Sequence, residues 1–198
     1  MSLLIDRLPD TVEVGGVDYR INTGFRTAVL FELMMQDDFF YPAEKQDMAL
    51  DLFFPVRPDD VNAAMQAIIW FYEGGDRKKN SRELRKRRGN HRLIYSYDHD
   101  DQYIYTAFLQ QYGIDLTSAK LHWWQFRALF LALDDTCKFC KIMHYRAMTI
   151  DPKLSKEEQR FYREMKEIYA LPISDDEQQK HDAIEAALMG DGDLTGLL

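Results

Sequence analysis

The sequence predicts a mainly α protein: a multi-helix bundle with a short N-terminal β-hairpin. Three observations carry this expectation. Apolar side chains recur at intervals of three and four residues through most of the chain, the period of a helix with one buried face. Two pairs, Ser155 with Glu158 and Ser174 with Glu177, have capping-box spacing, in which a hydroxyl accepts from an exposed amide and a carboxylate reaches back. Only one short stretch, near the start, alternates apolar and polar residues, and it does so around two glycines.

The hairpin is expected from Thr11-Val12-Glu13-Val14, a Gly15-Gly16 turn and Val17-Asp18-Tyr19-Arg20-Ile21. Asn22-Thr23 is placed to cap a first helix carrying Phe25, Val29 and Leu33. Pro42 suits the first turn of a second helix, whose Met48, Ala49, Leu52 and Phe53 share a face and which Pro55 and Pro58 end. A third helix runs from about Asp59, with Val61, Met65, Ile68 and Tyr72 as its stripe, and stops at Gly74-Gly75. Further helices are expected from Asp98 to a C-terminal Gly113, from a Thr117 cap to about Leu133, and from about Thr136 to Ala147. The two capping boxes open the last two. In the helix after Thr117, Trp123, Phe126 and Phe130 form one apolar stripe, and Leu121, Trp124, Ala128 and Leu131 form another. Such a helix is buried on several sides, as a central helix or partly against another protein.

Composition bounds the rest. A chain of 198 residues, 46% hydrophobic and 13% aromatic, can bury about 70% of its unfolded surface. No apolar run approaches the ~20 residues needed to cross a bilayer, and MSLLIDRLPD lacks the form of a secretory signal. No membrane association is expected. Two cysteines three residues apart make no disulfide framework, which suits a reducing cytoplasm. The net charge of −8 is uneven: residues 76–92 hold nine Lys or Arg against two acids, a local +7 that leaves −15 on the rest. Composition thus divides the chain into a hairpin with three helices at 1–75, a basic linker at 76–92, a C-terminal helical part at 93–189 and a flexible tail at 190–198. Integration of the parts into one domain stays open. Arg85, Lys86, Arg87 and Arg88 form the densest basic patch and would contact phosphates in a nucleic-acid-binding reading. The acidic remainder would repel a polyanion, so the linker reading is preferred.

Candidate chemistry is thin. Cys137, Cys140 and His144 fall on one helical face and offer three soft ligands. A structural zinc site normally needs a fourth, and His91, His99, His122 and His181 supply no paired spacing. A thioredoxin-like role lacks its βαβ surroundings, so inward packing is the preferred reading. Asp98-His99-Asp100-Asp101 contains a His-Asp doublet but reads as an acidic helix start. There is no Walker loop, no G-x-S-x-G and no H-E-x-x-H. The expectation is a protein that is not an enzyme and needs no cofactor or metal.

The block IYSYDHDDQYIYTAFLQQYGIDL at 94–116, followed by LHWWQFRALF at 121–130, resembles the gene-product-fifteen family of long-tailed phages and prophages of Gram-positive bacteria. KIMHYRAM at 141–148 and FYREMKEIYALP at 161–172 also fit that family. Its members are encoded just before the tape-measure protein. The resemblance therefore implies a tail-assembly chaperone in the host cytoplasm, absent from the mature virion, that keeps the tape measure soluble until the tail tube polymerises. A second tail chaperone, the tail-tube protein and a second copy of the chain are further candidate partners. For contact with a partner, the preferred residues are the narrow apolar stripes of the last charged helices: Phe161, Met165 and Ile168, then Ile184, Ala187 and Leu188.

Overall fold

The structure, a computed structural model, describes residues 3–75 and 93–172. Among them are one antiparallel β-hairpin and seven helices, so the fold is mainly α. In chain order the elements are β1 (Thr11–Val14), β2 (Val17–Arg20), α1 (Phe25–Gln36), α2 (Pro42–Phe53) and α3 (Val61–Tyr72). After the segment 76–92 come α4 (Asp101–Tyr112), α5 (Trp123–Leu131), α6 (Lys138–Ala147) and α7 (Lys156–Ile168). The chain forms two compact units, one through His144 and one from Tyr145.

In the first unit, the hairpin pairs Val12 with Tyr19 and Val14 with Val17. Its turn glycines have φ of 58° and 81°, the left-handed pair that matches the twist of flanking strands. Val12 and Val14 are buried, and β1 packs on α3. The expected Asn22-Thr23 cap does not form: the residue before α1 is Gly24, with no side-chain cap. Asn22 is used elsewhere, its side chain donating to Leu52 O (2.8 Å) and its amide to Phe53 O (2.7 Å) at the end of α2. Thr23 O accepts from Trp123 N (2.7 Å), and Phe25 N donates to Leu121 O (3.0 Å). A short bridge thereby joins the start of α1 to the start of α5.

Pro42 opens α2 as expected, and Glu44 accepts from the Tyr41 amide (2.8 Å). Asp60 caps α3 by accepting from Ala63 N (3.0 Å). The fully buried face of α3 is Ala64, Ala67, Ile68 and Phe71; of the expected stripe Ile68 is buried, Met65 and Tyr72 pack against the core partly buried, and Val61 is exposed. That helix is apolar nearly all round, so periodicity alone leaves its rotation undetermined.

Helix α4 starts three residues later than expected. The turn before it is closed by Ser96 Oγ, which accepts from the amides of Asp98 and His99, and by buried Asp100, which accepts from Ser96 N. It ends at Gly113, in the left-handed conformation (φ 66°), as its position in the sequence suggests. The helix expected from Thr117 begins instead at Trp123. Thr117 donates both its amide and its hydroxyl to Asp115 Oδ1, a local turn that competes with helix initiation. His122 takes over as cap: Nδ1 accepts from Trp124 N (3.1 Å), while Gln125 Oε1 accepts from His122 N (3.1 Å).

Residues on both sides of 76–92 contribute to one core. Phe126 of α5 stacks between Phe25 of α1 (4.8 Å) and Phe108 of α4 (4.9 Å), with interplanar angles of 10° at each contact. Trp123, Trp124, Phe126 and Phe130 are all buried, which makes α5 the central helix. In the second unit, Ser155 and Glu158 form the expected capping box at α7. The Ser174 and Glu177 pair lies outside the described residues.

Candidate interaction surfaces

The aromatic signature is used internally. The backbone turn after α3 answers part of its end, Gly74 N donating to Phe71 O (3.0 Å) and Gly75 N to Trp70 O (2.9 Å), and side chains of α5 add further donors. Trp123 Nε1 donates to Tyr72 O (2.7 Å), Trp124 Nε1 donates to Phe71 O (2.7 Å), and the Arg127 guanidinium donates to Glu73 O. One face of α5 therefore closes the C-terminus of α3 with three side-chain donors. The Tyr72 ring stacks on Trp123 at 5.3 Å, and its hydroxyl donates to Glu32 of α1. Burial above all, and then the neighbouring Glu32 carboxylate, push the Tyr72 phenol well up. Tyr97 is pushed up for the same first reason, with Tyr95 adding to it.

Two grooves flank Arg26. One of about 390 Å³ lies where α1 and α5 begin, beside Gly24, Lys120 and His122. The other, of about 570 Å³, has Phe25, Ile104 and Phe126 in its floor and Asp101 and Gln102 among its lining. The Arg26 guanidinium donates to the carbonyls of Ala119 (3.0 Å), Leu116 (2.5 Å) and Thr117 (2.9 Å), and it lies 4.7 Å from the centre of the Phe25 ring. Its charge holds the 116–119 loop.

The preferred partner-facing residues divide between described and undescribed regions. On α7, Phe161 is 46% exposed and Ile168 59%, while Met165 is half-buried; no residue of this helix is fully buried. Within the second unit, Tyr145 stacks on Tyr169 (6.1 Å) and meets Phe161 edge-on (6.3 Å). Lys166 Nζ donates to the carbonyls of Arg146 and Met148, and Arg146 Nε donates to Tyr169 O. Ile184, Ala187 and Leu188, and the basic patch Arg85, Lys86, Arg87 and Arg88, lie outside the described residues.

A second apolar surface escaped the sequence reading. Between α1 and α2, Phe39 is 84% exposed and Tyr41 75%, and Val56 beyond α2 is 71% exposed. Asp37 Oδ1 accepts from Phe39 N (2.8 Å) and shapes the turn, and Phe40 meets Phe39 edge-on at 5.5 Å. The run DDFFYP carried the signal: three aromatics in a connection, with no helical period to bury them.

The candidate ligand set is not assembled. Cys137 and Cys140 are half-buried rather than packed fully inward, and His144 is exposed. Among the described residues no group of three His, Cys, Asp or Glu side chains is arranged to hold a metal ion. In the Asp98 to Asp101 run, Asp100 is buried against Ser96, whereas Asp98 and His99 are exposed, 3.9 Å apart. No helix among the described residues is long and apolar enough to cross a membrane.

Aromatic residues of the signature thus build the core, while apolar side chains stand out at a connection and along α7, the last helix among the described residues. The sequence is that of a bacteriophage protein. More narrowly, the chain belongs to the Bacteriophage Gp15 protein family, whose model matches residues 4–171. No curated protein and no solved structure matches it.

Proposed function

We propose that the protein is a non-catalytic tail-assembly chaperone that binds the tape-measure protein and keeps it soluble until the tail tube polymerises. The observation that carries this reading is the exposed apolar stripe of α7, where Phe161 and Ile168 stand on a helix otherwise rich in charge. Membership of the phage family and the −8 net charge support it. An acidic surface keeps a complex of apolar chains dispersed, and a narrow stripe suits helix-in-groove contact. Such contacts are of modest strength, as displacement by tail-tube subunits requires, and several together hold a long chain by avidity. In this reading the protein works in the host cytoplasm and leaves before the virion is complete. A second tail chaperone, the tail-tube protein or a second copy of the chain would share its surfaces.

Co-expression with the tape-measure protein tests the proposal. A soluble, co-purifying tape measure is the expected result. An insoluble tape measure that never co-purifies overturns the reading. Strongly salt-dependent nucleic-acid binding, abolished by neutralising Arg85, Lys86, Arg87 and Arg88, would then establish the alternative suggested by the charge of 76–92.

A further inference from the structure

Cys137 and Cys140 belong to neither apolar surface, and the core does not fully enclose them. The sequence places both inside a helix starting near Thr136. The structure starts α6 at Lys138, so Cys137 stands at the helix boundary and Cys140 is the third residue inside. The Cys140 amide donates to Cys137 Sγ (3.3 Å), as an amide does to an N-cap side chain. Cys140 Sγ in turn donates to Leu133 O (3.8 Å). Residues three apart in a helical turn have Cα atoms about 5 Å apart. That falls inside the ~4.4–6.8 Å range that a disulfide spans.

We propose that Cys137 and Cys140 form a dithiol site that exchanges with small organic disulfides of the glutathione type and closes into a disulfide across the first turn of α6. Cys137 attacks first: it stands outside the first turn of α6, at the helix boundary, and its sulfur receives the Cys140 amide. It loses its proton to solvent and bonds to one sulfur of the small disulfide. The sulfur–sulfur bond of the reagent breaks, and one thiol leaves after taking up a proton. Cys140 then gives up its proton and attacks Cys137 Sγ, expelling the second thiol. The two cysteines lose two electrons, and the reagent gains them as two thiols.

The second step is the slow one. Burial first, then the hydrogen bond with Cys137, push the Cys140 thiol up to about 12, with Asp135 and Asp134 adding to the effect. Little attacking thiolate is present at neutral pH, so the mixed disulfide accumulates and resolves faster as pH rises. For the same reason the closed disulfide is hard to reduce, because the dithiol it competes with gains little from ionisation.

The test exposes the folded full-length protein to oxidised glutathione and follows its intact mass and its helical circular dichroism. The expected course is a transient glutathione adduct, then loss of the adduct with net removal of two hydrogens, at unchanged helicity. Cys140→Ser should stop at the adduct, and Cys137→Ser should be at least tenfold slower to react. A wild-type adduct that never resolves overturns the proposal. So does a Cys137→Ser protein that reacts at the wild-type rate, or a folded protein that reacts only in denaturant.

Discussion

Trp124 reaches the end of α3 through its ring nitrogen, and the same ring occupies the space beside Gly75. A Cβ built on Gly75 would lie 2.6 Å from Trp124 Cη2 and 3.3 Å from Trp70 Cζ2, and Gly75 has a φ of +79°. The glycine is required twice, by its backbone conformation and by the indole packed on it.

Gly75→Ala is therefore expected to be more damaging than Gly16→Ala. Both positions are left-handed, which costs a side chain about 1–2 kcal/mol, but nothing lies within 4 Å of a Cβ at Gly16. At Gly75 overpacking of about 1–3 kcal/mol adds to that cost. Urea unfolding of the two variants checks the order, and equal midpoints would show that the indole yields freely.

Stability should fall as pH drops below neutrality, in part through His122. Burial pushes its imidazole down, opposed by the carbonyl of Pro9 at Nε2. Because Nδ1 accepts from Trp124 N, protonation would break the cap. The unfolded chain then takes up the proton first, near pH 6.5. This contribution is complete above that value and is lost as pH falls from there toward the lower folded value. His122→Asn keeps a capping acceptor without a titrating group, and thermal melts between pH 7.5 and 5 should show a shallower decline for it.

At the alkaline end, Tyr72 and Tyr97 should resist ionisation while the fold persists. Their phenols are raised by burial, so the unfolded chain loses its protons first, near pH 10. The stabilisation is complete below that pH and is lost as pH rises beyond it. Phenolate absorbance at rising pH should show a late, cooperative fraction that coincides with loss of helicity; Tyr72→Phe should reduce it.

Replacing Phe161 and Ile168 together by Ser should leave the fold intact and remove recovery of the tape measure. Both side chains are about half exposed, so the loss of stability should stay near or below 1 kcal/mol. The double variant, purified beside wild type and checked by circular dichroism, is scored by tape-measure pull-down. Full recovery would move the contact to another surface, with Phe39 and Tyr41 the next pair to change.

What the sequence made legible was chemistry confined to a few neighbouring residues. The Gly15-Gly16 turn, Pro42 at the start of α2, Gly113 after α4 and the Ser155–Glu158 box each act over four residues or fewer. Thr117 misled because its hydroxyl had a nearer acceptor in Asp115. The stripe of α3 misled because a helix apolar on most sides has no preferred phase until a neighbour chooses one. The Trp-Trp pair was legible as a buried helix, but its hydrogen-bonding task was not, since the carbonyls it serves lie some fifty residues upstream. The exposed aromatics of the α1–α2 connection carry no period at all, and only their placement in space shows them uncovered.

The closure of α3 by α5 bears on how the chain must be connected. The last carbonyls of α3 accept from Trp123, Trp124 and Arg127, donors more than fifty residues further along the chain. The bridge between Thr23 and Trp123 and the stack of Phe25, Phe126 and Phe108 join the same two stretches elsewhere. Noncovalent contacts thus hold the two described stretches together. A protease cut within residues 76–92 should yield two fragments that copurify, as a protein reassembled from separate pieces does.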